Sequence, residues 1–215
     1  MSENWLEKWN QRYSEKEFAF GVEPNIYFKS HVDKLPVGKI LFPAEGEGRN
    51  AVYAAQSGWD VSAFDISFKG RKKAMELAKQ RNVSLDYKVG ELPELAFDND
   101  TFDAIALIYA HFPTEIKSNY HQILSSLLKT GGTIIFEAFS KNHLEYRAKN
   151  PGVGGPSNFD SLFSKEEILK DFKGYEVMEL GEEVIDLQEG KYHVGKGSVI
   201  RFVGRKSRAY SISKI

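Results

Sequence analysis

The sequence predicts an α/β fold in which helices cover both faces of a mostly parallel, seven-stranded sheet that ends in an antiparallel hairpin. Short apolar runs alternate with segments of helical composition through most of the chain. A turn containing two glycines follows the first apolar run, as in sheets whose strand ends meet a ligand. The last two extended segments, 175–186 and 197–205, are only about ten residues apart, which is too short for a crossover helix and requires antiparallel pairing.

The first unit of this doubly wound, Rossmann-like fold is the most informative part of the chain. The buried run 40–42 leads into a turn with Gly46 and Gly48, whose missing Cβ atoms would let backbone approach a ligand. A helix is expected over 49–57, and the next strand leads directly into Asp65. Since parallel strands present their carboxyl ends at one rim, Asp65 is placed to accept both hydrogen bonds of a ribose diol.

The glycine spacing alone leaves the ligand open. Gly46-x-Gly48-x-x-Ala51, with Asp65 about 20 residues further on, also satisfies the dinucleotide fingerprint. Two nucleotide ligands therefore compete at this point: a nicotinamide or flavin dinucleotide, and S-adenosylmethionine.

The remaining elements follow from apolar periodicity and turn residues. Further helices are predicted over 67–81, 116–129 and 165–172, and further strands over 85–89, 102–108 and 133–139. Gly131 and Gly132 are expected to end the helix predicted over 116–129, before the fifth strand.

The N-terminal segment is expected to be a helical cap over residues 1–35. Trp5, Trp9 and Tyr13 recur every four residues and would share one face of a helix, which either packs on the core or closes over the cofactor. The whole of 1–206 is predicted to be one domain, and 207–215 a polar tail.

Composition excludes several classes of protein. A formal net charge of -1 over 215 residues gives no electrostatic basis for nucleic-acid binding, and no apolar run approaches the roughly 20 residues needed to span a bilayer. The absence of cysteine rules out disulfides and thiolate chemistry and favours a cytoplasmic location. The five histidines show no i, i+4 pairing with acids that would suggest a metal site, so none is expected.

Four segments resemble the motifs of class I S-adenosylmethionine-dependent methyltransferases. Ile40–Asn50 resembles the first motif, Asp65–Ser67 the second, Thr101–Ile105 the start of strand four, and Leu128–Gly132 the turn before strand five. Within that family, the tryptophans of the N-terminal cap resemble the thiopurine methyltransferases. The C-terminal segment from Gly174 to Lys206 is similar to the tellurite-resistance methyltransferases.

The resemblance implies S-adenosylmethionine as the cofactor. It assigns cofactor contacts to Trp9, Ala44, Gly46, Gly48, Asn50, Asp65, Ile66, Ser67, Glu91 and Leu92. In this assignment Glu91 accepts the adenine amino group, the Leu92 amide meets the ring, and Ile66 and Ser67 lie beside the purine. Phe42 stands where the family usually has an acid, which leaves Glu45 or Glu47 to face the cofactor's ammonium group.

Acceptor-side candidates follow strands four and five. Tyr109 and His111 leave strand four, and His111 would act as a general base for a hydroxyl or ammonium nucleophile, whereas a thiolate or selenolate would need none. Glu137, a charge inside an apolar run, is either catalytic or a partner of Arg201.

Two irregular segments are expected to cover the cleft. The connection 141–160 is too rich in Gly, Pro and Asn for a confident helix and places Tyr146 and Arg147 as substrate candidates. The segment 186–196, with His193 as a third substrate candidate, is either a second lid or a hairpin tip.

The function expected from all of this is in-line transfer of a methyl group from S-adenosylmethionine to a small molecule. An NAD-type oxidoreductase would share the glycine turn, but the chain then lacks further cofactor-binding sequence. A non-catalytic protein that binds S-adenosylmethionine is the other alternative.

Overall fold

Seven strands form one sheet in the computed structural model, which describes residues 3–207. The strands are Lys39–Pro43 (β1), Asp60–Asp65 (β2), Asp86–Val89 (β3), Phe102–Ile108 (β4), Leu128–Phe139 (β5), Tyr175–Glu189 (β6) and His193–Lys206 (β7). The helices are Glu3–Tyr13 (α1), Ile26–Val32 (α2), Arg49–Gln56 (α3), Phe68–Gln80 (α4), Lys117–Leu127 (α5), His143–Lys149 (α6) and Lys165–Asp171 (α7). The predicted tail, apart from Ser207, lies outside the described residues, and the single domain over 1–206 stays a prediction.

The sheet has the order β3-β2-β1-β4-β5-β7-β6. β1 to β5 are parallel, and β7 runs antiparallel to both β5 and β6. This confirms the predicted doubly wound sheet with its antiparallel hairpin. The carboxyl ends of the parallel strands lie at one rim, where such folds bind their ligands.

Strand alternation divides the core between the two faces of the sheet. Ile40 and Phe42 of β1 pack on one face beneath α2, α3 and α4, whereas Leu41 packs on the other with α5 and α7. Phe42 is fully buried and meets the ring of Phe28 edge-on, with 5.3 Å between centroids. The position where the family usually has an acid is therefore occupied by a core residue.

The turn between β1 and α3 needs glycine for a different reason from the one expected. Gly48 has φ +87°, and a Cβ there would lie 2.6 Å from Cβ of Ala74 in α4. A Cβ at Gly46 would lie 2.5 Å from the hydroxyl of Tyr13. The two glycines thus let other parts of the protein pack against the turn.

Strand five begins earlier than predicted. β5 starts at Leu128, which pairs with Phe102, and the pairing then resumes at Thr133 opposite Ala104. The intervening residues leave the regular register. Gly131 and Gly132 thus lie inside an irregular strand start instead of separating a helix from a strand.

The hairpin is longer than predicted, with only residues 190–192 between β6 and β7. Polar residues such as Asp186 and Lys196 pair across its outer half, which is why apolar periodicity did not reveal it. The tip lies on the N-terminal segment: Lys191 N donates to Ala19 O at 2.9 Å. A Cβ at Gly190 would lie 2.5 Å from the backbone nitrogen of Gly21.

The connection 141–160 is more regular than expected. It contains α6 and two short 3₁₀ turns at 151–153 and 159–161. Across residues 3–207, no helix is both long enough and apolar enough to cross a lipid bilayer.

Candidate functional site

A crevice opens at the rim formed by the ends of β1, β2 and β4, beneath α1. The space between its walls is about 780 Å³, which includes volume open to solvent. This main crevice is lined by Trp5, Trp9, Tyr13, Phe20, Ala44, Glu45, Arg49, Asn50, Phe64, Asp65, Ile66, Gly90, Glu91, Leu92, Ile108, Tyr109, His111, Phe112, Tyr120 and His193.

Asp65, at the end of β2, is buried against the main crevice. Its carboxylate accepts the backbone N–H of Gly46 at 3.0 Å and that of Ser67 at 2.8 Å. Burial raises the pKa of Asp65 to about 6 despite these hydrogen bonds. A carboxylate has about four acceptor sites, so capacity for a ligand's hydroxyl groups remains.

Glu45 is the second acid of the main crevice and is partly buried. Its Oε1 accepts the N–H groups of Asn50 and Ala51 in the first turn of α3, at 2.9 and 2.8 Å. Burial raises the pKa of Glu45 to about 7. Glu47, the alternative that the sequence left open, faces away and pairs with Lys73 at 2.6 Å.

The two acids suit a cationic nucleoside. Within the part of the chain described, neither Glu45 nor Asp65 forms an ion pair with a side chain, although both reach the main crevice. S-adenosylmethionine carries a ribose diol, an ammonium group and a sulfonium, so this donor and acceptor set fits it.

Seven of the ten predicted cofactor residues line the main crevice, and three do not: Gly46, Gly48 and Ser67. The glycines contact Tyr13 and Ala74 as described above. Ser67 is fully buried because its hydroxyl caps α4 at Gly70 N and donates to Asn10 of α1 at 2.6 Å. These residues shape the turn and the helix start.

α1 places its aromatic face over the main crevice. The four-residue spacing predicted one shared face and left open whether it packs on the core or covers the cofactor. Trp9 stacks on Tyr13 with centroids 5.4 Å apart and meets Trp5 edge-on at 6.0 Å. Tyr13 also lines the main crevice, although it was named from the sequence only as a member of this aromatic face.

The residues predicted to hold the adenine ring follow β3 in the chain. Glu91 and Leu92 line the main crevice, and Leu92 begins a 3₁₀ turn. Tyr120 of α5 donates to Glu91 Oε2 at 3.3 Å.

His111 and Tyr109 lie on the opposite wall of the main crevice. His111 Nδ1 is 3.0 Å from the carbonyl of Ser161, and Nε2 accepts the N–H of Phe139 at 3.4 Å. Burial lowers the pKa of His111 to about 3. Its imidazole is therefore neutral, with both nitrogens held by backbone.

Glu137 lies outside the main crevice and takes the structural alternative that the sequence allowed. It is fully buried in β5, receives Arg201 Nε at 2.7 Å and receives Asn25 Nδ2 at 2.7 Å. Burial raises the pKa of Glu137, and the Arg201 charge opposes that rise.

Two of the three substrate candidates do not line the main crevice. Arg147 donates to the carbonyls of Gly154 and Gly155 at 3.0 and 2.9 Å and so holds the loop after α6. Tyr146 lines a separate surface depression. The held loop, residues 155–161, instead lines a side pocket that shares Trp5, Trp9, Tyr109, His111 and His193 with the main crevice.

His193 is the substrate candidate that reaches the site. It is 4% exposed and begins β7, where Nδ1 is 2.9 Å from Glu189 Oε2. Arg49 and Asn25 contact the other Glu189 oxygen at 3.0 and 2.9 Å.

No histidine–acid pair at i, i+4 spacing was singled out from the sequence, but Glu189 and His193 form one across the hairpin turn. That spacing was the signal for this pair, together with the acid–glycine turn at the tip. In the described residues, no group of three His, Asp or Glu side chains is arranged to hold a metal ion.

Residues 40–132 match the family model for a methyltransferase domain. Many solved structures are similar in fold, including the three that follow. One, reported for the conversion of a disulfide bond into a thioacetal group during echinomycin biosynthesis, has a TM-score of 0.76 and 16% identity over 96% of this chain and 94% of that chain. TehB from Haemophilus influenzae has a TM-score of 0.69 and 16% identity, over 94% and 67% of the two chains.

The third is magnesium protoporphyrin IX methyltransferase (ChlM) from Synechocystis PCC 6803, solved with bound SAH. It has a TM-score of 0.65 and 19% identity, over 94% of this chain and 95% of that chain. No curated protein matches the sequence significantly. At these identities the likeness establishes the fold, and the family match independently favours methyl transfer over the dinucleotide chemistry that the glycine spacing left open.

Proposed function

We propose that the chain is a methyltransferase that uses S-adenosylmethionine, of class I by its fold, and that its acceptor is a small molecule. One observation supports the proposed site above all others. Two acids with raised pKa values, the partly buried Glu45 and the buried Asp65, face the main crevice at the rim where this fold binds its ligands.

Each end of the cofactor has a proposed partner in the main crevice. Asp65 accepts the ribose hydroxyls, and Glu45 faces the ammonium group. Glu91 and Leu92 hold the adenine, with Ile66 beside it. Ala44 and Asn50 line the turn between Glu45 and the ribose position.

Trp9 faces the sulfonium in this proposal. A cation held over an indole ring gains about 1 kcal/mol or more when water is excluded, and Trp9, like Trp5, lines both the main crevice and the side pocket.

The side pocket is the proposed acceptor site. Aromatic rings and imidazoles contribute much of its wall, which suits a compact and largely apolar acceptor. S-adenosylmethionine supplies an electrophilic methyl group on a cationic sulfur. The protein's part is to align the acceptor with that group and to exclude water.

Calorimetry with S-adenosylmethionine, S-adenosylhomocysteine and NAD tests the cofactor site. We expect binding of the first two and none of NAD. Transfer of a labelled methyl group to a panel of thiols, selenium and tellurium oxyanions and small hydroxyl compounds then tests the acceptor class. NAD binding without an adenosylhomocysteine signal would reject the proposal, and cofactor binding with no acceptor would indicate a non-catalytic binder.

A cytoplasmic location and the absence of a nucleic-acid partner are also proposed. Their support is compositional: no cysteine and a near-neutral charge balance.

A further inference from the structure

Glu189 and His193 form a carboxylate–imidazole pair at the wall that separates the main crevice from the hairpin. Glu189 Oε2 and His193 Nδ1 are 2.9 Å apart, so Nδ1 carries a proton and donates it to the carboxylate. A Cβ at Gly154 would lie 2.9 Å from His193 Cδ2, which shows that this edge of the ring packs against the loop. His193 lines both the main crevice and the side pocket, and Nε2 is the ring nitrogen that Glu189 leaves unbound.

Nε2 of His193 is available, unlike the nitrogens of His111. No side chain or backbone group between residues 3 and 207 hydrogen-bonds to it, whereas both nitrogens of His111 are held by the backbone. An imidazole with Nδ1–H on a carboxylate and a free Nε2 has the arrangement of a general base.

The carboxylate of Glu189 is itself held in place. Arg49 and Asn25 bind Oε1 and leave Oε2 for His193. Burial alone would raise the pKa of Glu189, but the Arg49 charge and the His193 hydrogen bond outweigh it and bring the pKa to about 2. Glu189 is therefore ionised at neutral pH and opposes the positive charge that His193 gains on protonation.

We propose that His193, oriented by Glu189, is the general base that removes a proton from the acceptor, and that the acceptor therefore carries an O–H or S–H group instead of arriving as an anion. This inference rests on the proposed function. Glu189 is a positioning residue, because it acts only through His193.

The proton and electron balance is simple. The acceptor's X–H electron pair forms the new X–CH3 bond, and its proton goes to Nε2 of His193. The electron pair of the broken C–S bond stays on sulfur. The positive charge that leaves the sulfur is thus found on the imidazolium beside Glu189, and it is lost to solvent when the proton leaves.

Several charged or titratable groups face His193 from the elements around it. They are Arg12 on α1, Arg49 on α3, Tyr109 and His111 after β4, His143 on α6 and Glu189 on β6. Burial lowers the pKa of His193, and the Glu189 hydrogen bond and charge oppose that shift. The imidazole is therefore neutral and able to accept a proton at pH 7.

The resting tautomer can be tested without any acceptor. We expect ¹⁵N NMR at pH 7 to show the ring of His193 protonated at Nδ1 and bare at Nε2, in the free protein and with adenosylhomocysteine bound. Glu189→Gln should lower the pKa of His193, because the hydrogen-bonded negative charge is lost. A proton found on Nε2 at pH 7 would overturn the proposal.

A matched pair of acceptors tests the chemical role. At pH 8 thiophenol is ionised, whereas benzyl mercaptan, similar in size, is mostly protonated. His193→Gln should slow methyl transfer to benzyl mercaptan by about 100-fold or more and leave thiophenol within about 3-fold, since a general base contributes roughly 10² to 10⁴ in rate. His31→Gln, at a histidine paired with Glu179 away from the site, is the control.

Adenosylhomocysteine affinity separates failure of this inference from failure of the proposed function. If the wild-type protein does not bind it, the proposed function fails. If it binds and both thiols lose rate equally in His193→Gln, or neither does, only the role of His193 fails. If neither thiol is turned over by the wild type, the tautomer of His193 alone decides.

Discussion

At the scale of single residues, the main crevice contains two acids, Glu45 and Asp65, whose pKa values are higher than usual. Burial raises the pKa of Glu45 to about 7 and that of Asp65 to about 6. Both values lie above those of the free side chains, so a cation that enters the main crevice replaces protons. Binding of S-adenosylmethionine is therefore linked to pH.

The affinity for S-adenosylmethionine should rise between pH 5 and pH 8. Below the raised pKa values Glu45 and Asp65 are protonated and neutral, and above them they are anionic and attract the ligand's positive charge. Each proton displaced changes the dissociation constant by up to about tenfold per pH unit. Calorimetry in buffers of different ionisation enthalpy would count these protons.

Adenosylhomocysteine, which lacks the sulfonium charge, should show a shallower pH dependence, and Glu45→Gln should remove the step nearest pH 7. An affinity that does not change between pH 5 and pH 8 would exclude this role for the two acids.

Asp65→Asn should weaken binding of adenosylhomocysteine by about 2 to 4 kcal/mol. The change removes the charged acceptor of the ribose hydroxyls, and hydrogen bonds to a charged group contribute roughly 1.5 to 3 kcal/mol each, with incomplete additivity. Asp60→Asn is a matched control, because Asp60 begins the same strand but is exposed beside Lys39. Equal affinities for the two variants would contradict the ribose role.

Sequence predicted some of these residues and missed others for identifiable reasons. Asp65 was predictable because the end of a buried strand fixes its position at the rim. Glu45 was only one of two alternatives, because the course of the turn decides which acid faces the main crevice. The pair Glu189 and His193 was missed because its geometry depends on a hairpin turn whose flanking residues are polar.

At the scale of elements, the contact between the β1–α3 turn and α4 fixes the floor of the main crevice. Gly48 lies against Ala74 so closely that no side chain fits between them. The boundaries of α3 and α4 were predictable from composition and capping residues. The distance between α3 and α4 could not be predicted, because a glycine required for ligand approach and a glycine required for helix packing look alike in a sequence.

Gly48→Ala should destabilise the protein more than Gly131→Ala. Both residues have φ near +85°, so both changes add similar backbone strain, of order 1 kcal/mol. At Gly48 the new Cβ would also meet Ala74 at 2.6 Å, whereas at Gly131 nothing described lies within 4 Å.

We expect the difference to be a further 1 to 3 kcal/mol or so, as for other overpacked sites. Urea unfolding of the two variants measures it. Equal losses would mean that α4 moves aside without cost.

At the scale of the whole molecule, the alternation of apolar runs and helical segments along the sequence predicted a mostly parallel sheet with an antiparallel hairpin at its end. It could not give the way in which α1 closes one side of the main crevice while the hairpin closes the other. Those contacts join residues from both ends of the chain, and they depend on the completed sheet. The acceptor side of the site is therefore the part that sequence described least well.

The three tryptophans should report ligand binding selectively. Trp5 and Trp9 line the main crevice, whereas Trp59 is buried in the core beside α3 and α4. Adenosylhomocysteine should change the emission of the wild-type protein, and the change should vanish in a Trp5→Phe, Trp9→Phe double variant that retains Trp59. Persistence of the change in that variant would mean that α1 does not cover the ligand.

The close approach of Gly190 to Gly21 has a thermodynamic corollary. The backbone around residue 20 reaches the nucleoside side of the fold, and the tip carries Glu189 and His193, so a displacement of either segment must be shared by the other. If bound cofactor raises the affinity for a methyl acceptor beside His193, the bound methyl acceptor must raise the affinity for the cofactor by the same factor. Linkage between two binding sites is reciprocal. A methyl group at residue 190, as in Gly190→Ala, would push the hairpin tip away from the segment around residue 20 and weaken the coupling between the two sites.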